Sequence, residues 1–297
     1  MYDAVELLRG AIDTHIHAGP GLFPRLMDSV EAARSARDAG IRGIVFKHHH
    51  IPTVDRAYLA HKAVPEVEVY GGIVLNYAVG GLNPFAVDAT LKLGAKVVWM
   101  PSIDASNHRK HFGELGGFGG KQTIDKPDLY HNVEGLTVLA KGGLDPNMGP
   151  ILRLIAEAGA VLATSHMSVQ ESKALVEEAI RIGVKNIMVT HVDFVTAALT
   201  MGDKRWMADR GAFLELCYST LLPPWRNTTI ERTVESIRRI GAEHFIVSSD
   251  LGQARNPAPA DGLRTFIELL IRYGIGPSDV RLMVKENPEK LLGVKKD

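Results

Sequence analysis

The chain holds a single cysteine, Cys217, in 297 residues. That excludes an intrachain disulfide and fits a reducing compartment. It also lacks net charge, with 34 Lys and Arg against 34 Asp and Glu, so nothing marks a nucleic acid or an acidic membrane surface as partner. No apolar run approaches the roughly 20 residues that a membrane span needs. No basic region followed by an apolar core opens the sequence, so no export signal is expected. A glycine-rich dinucleotide fingerprint is missing too, because Gly19-Pro20-Gly21 has the wrong spacing for one. These absences point to a soluble, cytoplasmic protein that acts on a small molecule.

What the chain does have is apolar material, 45% of its residues, enough for a large core. Its length suits two medium domains or one large α/β barrel. Short β-branched or apolar runs alternate with segments of helical period. The expected strands are 11–14, 41–47, 67–75, 95–100, 160–165, 185–190, 212–217 and 244–248. Amphipathic helices are expected over 28–39, 151–158, 169–182, 229–240 and 263–273. Gly40, Gly94, Gly159, Gly183 and Gly241 stand where each helix should stop and turn back into a strand. Eight β-then-α units, with strands apolar on both faces, predict a (β/α)8 TIM barrel over residues 1–297 as one domain.

Residues 102–147 break the rhythm after the fourth strand. This insertion is glycine-rich, with a possible ribbon through 121–124 and 136–140. A connection of this length in a barrel is expected to cover the site or meet another subunit, and a homo-oligomer is expected.

The histidines are not scattered. The first strand ends in His15-Ile16-His17, and residues i and i+2 of a strand share a face about 6–7 Å apart. Lys47-His48-His49-His50 ends the second strand, His166 follows the fifth, His191 the sixth, and Asp250 the eighth. In barrels, strand carboxyl ends converge on the active site. Imidazoles and a carboxylate meeting there suit a divalent metal ion.

This pattern resembles the amidohydrolase superfamily of metal-dependent hydrolases. The resemblance rests on His15-Ile16-His17, His166, His191 and Asp250, and on Asn287-Pro288-Glu289-Lys290-Leu291-Leu292, which is similar to the family's closing helix start. It implies that His15, His17 and His166 bind metal. It implies that His191 binds a second metal or orients the water, and that Asp250 binds metal and shuttles the proton. Zinc, or alternatively manganese, is the expected cofactor, as one ion or two.

The fourth strand departs from that pattern. Two-metal members of the family carry a bridging carboxylated lysine or a glutamate there, and Lys96-Val97-Val98-Trp99-Met100-Pro101 offers neither at its end. Lys47 or His48 could compensate as metal ligands, or Lys47 could bind a substrate anion. If the second strand continues, His48 and His50 share a face and His49 points away. Arg25, His50, His108 and Arg255 are candidate substrate contacts, and cations in excess on that rim favour an anionic substrate. Cys217 reads as a small buried residue, not a nucleophile. Three readings follow: a hydrolase of an ester, lactone, amide or phosphoester; a mononuclear metal-dependent decarboxylase or lyase; and a metal-binding scaffold without turnover.

Overall fold

The computed structural model describes residues 4–120, 130, 133–223 and 225–294. Its strands in chain order are β1 (Ile12–Ile16), β2 (Gly43–Phe46), β3 (Glu68–Tyr70), β4 (Gly72–Val74), β5 (Val97–Trp99), β6 (Leu139–Ala140), β7 (Gly143–Leu144), β8 (Val161–Ala163), β9 (Asn186–Val189), β10 (Phe213–Cys217) and β11 (Phe245–Ser248). The fold is mixed α/β with two parallel sheets. One has the order β1-β2-β3 and the other β11-β10-β9-β8-β5-β4. The expected third strand, 67–75, is divided between them: β3 pairs with β2 and β4 with β5. It breaks at Gly71, where a Cβ would come within 2.7 Å of the Thr53 backbone. At the other edges a parallel bridge joins Ile16 to Leu251.

Helices stand where their caps place them. Asp28 accepts hydrogen bonds from the amides of Val30 and Glu31, while Glu31 reaches back to the Asp28 amide, and the helix runs Ser29–Asp38. The same box, Ser168 with Glu171, opens Val169–Ile182. Gly159 and Gly183 close their helices in the left-handed region, as expected. Gly241 has a positive φ but an extended ψ of 135°. No helix among the described residues is long and apolar enough to cross a membrane.

Strand side chains separate into two apolar populations. Ile12, Val45, Val74, Val97, Trp99, Val161, Ala163, Met188, Phe213 and Ile246 pack with Leu291 and Leu292 of the helix Asn287–Leu292. Alternate strand residues, such as Ile44, Phe46, Leu214 and Leu216, pack outward against the helices. Strict alternation from Ile12 would bring Thr14 and Ile16 to the first population and turn His15 away. Instead the pairing of β1 with β2 shifts register between Asp13 and Ile16, and Ile16 joins the outer cluster. That irregularity moves His15 and His17 to the inner side.

Within 102–147, a short helix covers Ser106–Phe112. Leu139–Ala140 pairs antiparallel with Gly143–Leu144, so the hairpin closes locally. Residues 121–124, the other half of the expected ribbon, lie outside the described residues.

Asn287 fastens the last strand. Its buried amide donates to the carbonyls of Ala242 (2.9 Å) and Phe245 (2.7 Å). Asn287→Ala would leave both buried carbonyls short of a donor, and we expect a loss of about 2–3 kcal/mol in urea unfolding.

Candidate metal centre

The centre is held from behind. His17 donates Nδ1–H to the carbonyl of Lys47 at 3.0 Å. A carbonyl can only accept, so the proton is on Nδ1 and Nε2 carries a lone pair. Burial, reinforced by the positive charge of Arg25, lowers the His17 pKa well below its ordinary value, so the ring is neutral. His15 sends Nδ1 to the Glu215 carboxylate at 3.3 Å. Its Nε2 lies 3.1 Å from Asp250 Oδ1 yet has no hydrogen-bond partner.

Asp250 completes the group. Burial raises its pKa, but His15, the close contact with His17 and the charge of Lys47 more than reverse this and hold it well below the carboxylate range. Its Oδ1 is 3.1 Å from His17 Nε2, and Oδ2 accepts from Ser219 Oγ at 2.7 Å. Ligand atoms of His15, His17 and Asp250 thus lie within 4.8 Å of one another. Two lone pairs and a carboxylate oxygen converge with no proton placed to hold them together. A cation fits that donor set.

His166 is set by a chain of the same kind. His108 bonds through Nε2 to the carbonyl of Gly117 at 2.6 Å, which leaves its Nδ1 to accept. His166 Nδ1 is 2.7 Å from that nitrogen and supplies the proton. The Nε2 of His166 is therefore a bare lone pair on a ring that lines the cavity. Burial, then His108 and His191, lowers its pKa well below the ordinary value. His191 lies beside it, ring centroids 5.0 Å apart, and 6.1 Å from His15. Both His191 nitrogens are buried without a partner, and its pKa is lowered to about 3, chiefly by burial. Ser165, His191 and Asp250 all take positive φ, 52°, 32° and 50°. Strain of this kind gathers where strand ends must aim side chains.

The second strand behaves differently from the expectation. His48 engages both ring nitrogens with backbone: Nε2 with Pro20 O, and Nδ1 with the amides of His50 and Ile51. His49, expected to point away, lines the cavity with Lys47. Lys47 is buried, its Nζ 5.8 Å from the Trp99 ring, and burial lowers its pKa. Of the other candidates, Arg25 lines the cavity, His108 stands behind His166, His50 packs near Phe23 and Arg255 is exposed. Cys217 is buried, and burial pushes its thiol well above the ordinary value.

Sequence reasoning missed Glu215, which is fully buried and accepts from His15 Nδ1, the His191 amide (3.0 Å) and Ser248 Oγ (3.0 Å). The signal was present: an acid in the apolar run Phe213–Cys217, on the inward parity of Phe213. Also missed was the aromatic cover. Phe118, Phe194 and Trp225 come from three segments, with Trp225 5.3 Å from each of the other two ring centroids. The cavity beneath measures about 30 Å3, room for an ion and a few waters at most.

A family model described as a family of unknown function, DUF6282, matches residues 10–215. The chain belongs to DUF6282. The matched stretch holds His15, His17, Lys47, His166, His191 and Glu215, and ends before Asp250. No curated protein matches this DUF6282 chain by sequence. Solved structures do match by fold. An amidohydrolase from Pseudomonas aeruginosa is 14% identical, with 98% of each chain covered and a TM-score of 0.61. A protein from Pseudomonas putida described as a 2-pyrone-4,6-dicarboxylic acid hydrolase is 17% identical, covering 97% of this chain and 99% of that one, TM-score 0.59. A 2,6-dihydroxybenzoate decarboxylase from Rhizobium is 12% identical, covering 96% and 99%, TM-score 0.54. The DUF6282 chain shares the fold of amidohydrolase-superfamily enzymes, hydrolases and decarboxylases alike.

The buried imidazoles set a pH dependence. His48, His50 and His191 have folded pKa values of about 3, 4 and 3, and those of His17, His49 and His166 are also lowered. Below about pH 6.5 the unfolded chain takes up these protons and the folded one does not. Asp13 and Asp104, raised to about 7 and 6 mainly by burial, act in the opposite sense, but two carboxyls are outnumbered by six imidazoles. We expect the urea midpoint of the metal-free protein to fall steeply between pH 6.5 and 4.5. A flat profile would show that the rings are not buried as described.

Proposed function

We propose that this chain is a metal-dependent hydrolase of a small anionic substrate. Its two sheets close into one (β/α)8 barrel, and the described part of 102–147 is its cover. Closure is supported by the chain's continuity from β3 to β4 across Gly71 and by the bridge Ile16–Leu251. The function rests on one observation, the converging lone pairs of His15 Nε2, His17 Nε2 and Asp250 Oδ1.

Imidazole-rich donors suit zinc, with manganese the alternative, and such an ion would make water acidic enough to ionise near neutral pH. His15, His17 and Asp250 would hold it, with His166 reaching in through Nε2. His191 is free to join them or to orient the attacking water. Asp250, ionised and fixed through Ser219, takes the proton of that water and returns it to the leaving group. Lys47 serves as a cation facing the substrate. His48, with both nitrogens spent on backbone, stays outside the ligand set.

A decarboxylase or lyase is the second reading, and one observation favours it. The end of β5 supplies no bridging ligand: Met100 and Pro101 are apolar, and Asp104 beyond them accepts from the Tyr77 amide at 2.8 Å. That favours a single ion.

Elemental analysis with a panel of esters, lactones, amides and aromatic acids separates the two. Ester or lactone cleavage supports hydrolysis, and carbon dioxide release with one ion per chain supports the lyase. Replacing His15 and His17 together by Ala should strip the metal, and full retention would refute the site. Asp250→Asn should abolish turnover while much of the metal stays. Glu215→Gln should weaken metal affinity about 10–100-fold, read by chelator competition, because it removes the charge behind His15.

A further inference from the structure

The cavity carries two cations that no carboxylate of the described residues pairs with directly. Arg25 lines it with its Nε buried and unpartnered, and no hydrogen bond or ion pair reaches its guanidinium among the described residues. Lys47, 2% exposed, likewise has no carboxylate in ion-pair distance there. The two acids nearby act on these cations only at longer range, and their close contacts go elsewhere. Asp250 meets His15, His17 and Ser219, and Glu215 meets His15, Ser248 and the His191 amide. Isolated buried charge is costly, so such groups call for a partner.

A third donor faces the same space. Ser102 Oγ accepts from Asn76 Nδ2 at 2.9 Å and lies 3.0 Å from His49 Nδ1. Its own hydroxyl proton has His49 Nδ1 as acceptor, so His49 carries its proton on Nε2. The His49 ring stacks on His17, centroids 5.2 Å apart, and lines the cavity. It therefore presents an N–H where its neighbours His17 and His166 present lone pairs. The same cavity is lined by the aromatic rings of Phe118, Phe194 and Trp225.

We infer that Arg25, Lys47 and His49 form a carboxylate-binding subsite beside the proposed centre, so that the substrate is a carboxylate carried on a flat apolar body. The inference rests on the proposed function for the place of the reacting bond, but not for the anion itself. Arg25 offers a planar fork that matches two carboxylate oxygens, Lys47 a point charge and His49 one directional donor. The aromatic cover takes the apolar body. A body of that size exceeds the cavity of about 30 Å3, so Phe118, Phe194 and Trp225 part on entry.

The test is calorimetric titration with benzoate, benzamide and inorganic phosphate, on metal-loaded and metal-free protein. Benzoate is expected to bind at least tenfold more tightly than benzamide in both forms. Arg25→Gln and Lys47→Met should each weaken benzoate tenfold or more and leave benzamide within twofold, with urea midpoints confirming that both variants fold. Equal affinity for benzoate and benzamide overturns the subsite, as does benzoate binding that survives both substitutions. Phosphate binding more tightly than benzoate overturns the carboxylate in favour of a phosphoryl group. Metal content separates the two readings: one ion per chain without benzoate selectivity refutes only the subsite. Selectivity without any bound metal refutes only the centre.

Discussion

Everything at the centre depends on where three Nδ1 protons go. The Lys47 carbonyl, the Glu215 carboxylate and the Nδ1 of His108 each take one, from His17, His15 and His166. Each acceptor sits behind its ring, so each Nε2 is left as a lone pair facing inward. Without these partners the rings could turn over and present N–H groups, and no donor set for a cation would exist. Tautomer, not just position, is what the surrounding fold specifies.

How far this was visible in the sequence differs from strand to strand. Strand positions were legible because β-branched runs follow helix-stopping glycines, and all eight expected runs contain strands. The His15/His17 pair was legible from its spacing. The register shift that brings it inward was not, since a bulge leaves no mark on the period of five residues. The second strand shows the opposite case. Val45 packs inside, so parity alone places Lys47 and His49 inside with it and His48 outside. Of the alternatives Lys47 and His48, that alternation turns only Lys47 to the cavity. Glu215 was passed over because the run around it reads as core. An ionisable residue at an inward position of such a run is the stronger signal.

The strand ends also show what the arrangement costs. Ser165, His191 and Asp250 hold left-handed backbone without glycine, about 1–3 kcal/mol each. Lys47 is buried and Arg25 partly so, each without a direct ion pair among the described residues, and both His191 nitrogens go unpartnered. A structure selected for stability alone would relieve these. The apolar packing around Trp99 below and between sheet and helices outside is large enough to carry them.

Residues 106–118 join the support of His166 and the lining of the cavity in one piece of chain. Its helix supplies His108, which fixes His166, and the acceptor that fixes His108 is the carbonyl of Gly117. The next residue, Phe118, lies over the cavity and packs 5.1 Å from the His108 ring. Any displacement of Phe118 would therefore pull on the bond that sets the His166 tautomer. Once Gly117 withdraws, His108 is free to exchange its proton between nitrogens, and His166 loses the partner that keeps Nε2 bare. The cover and the donor set are then not independent parts. The geometry that leaves His166 Nε2 bare is the geometry with Phe118 in place.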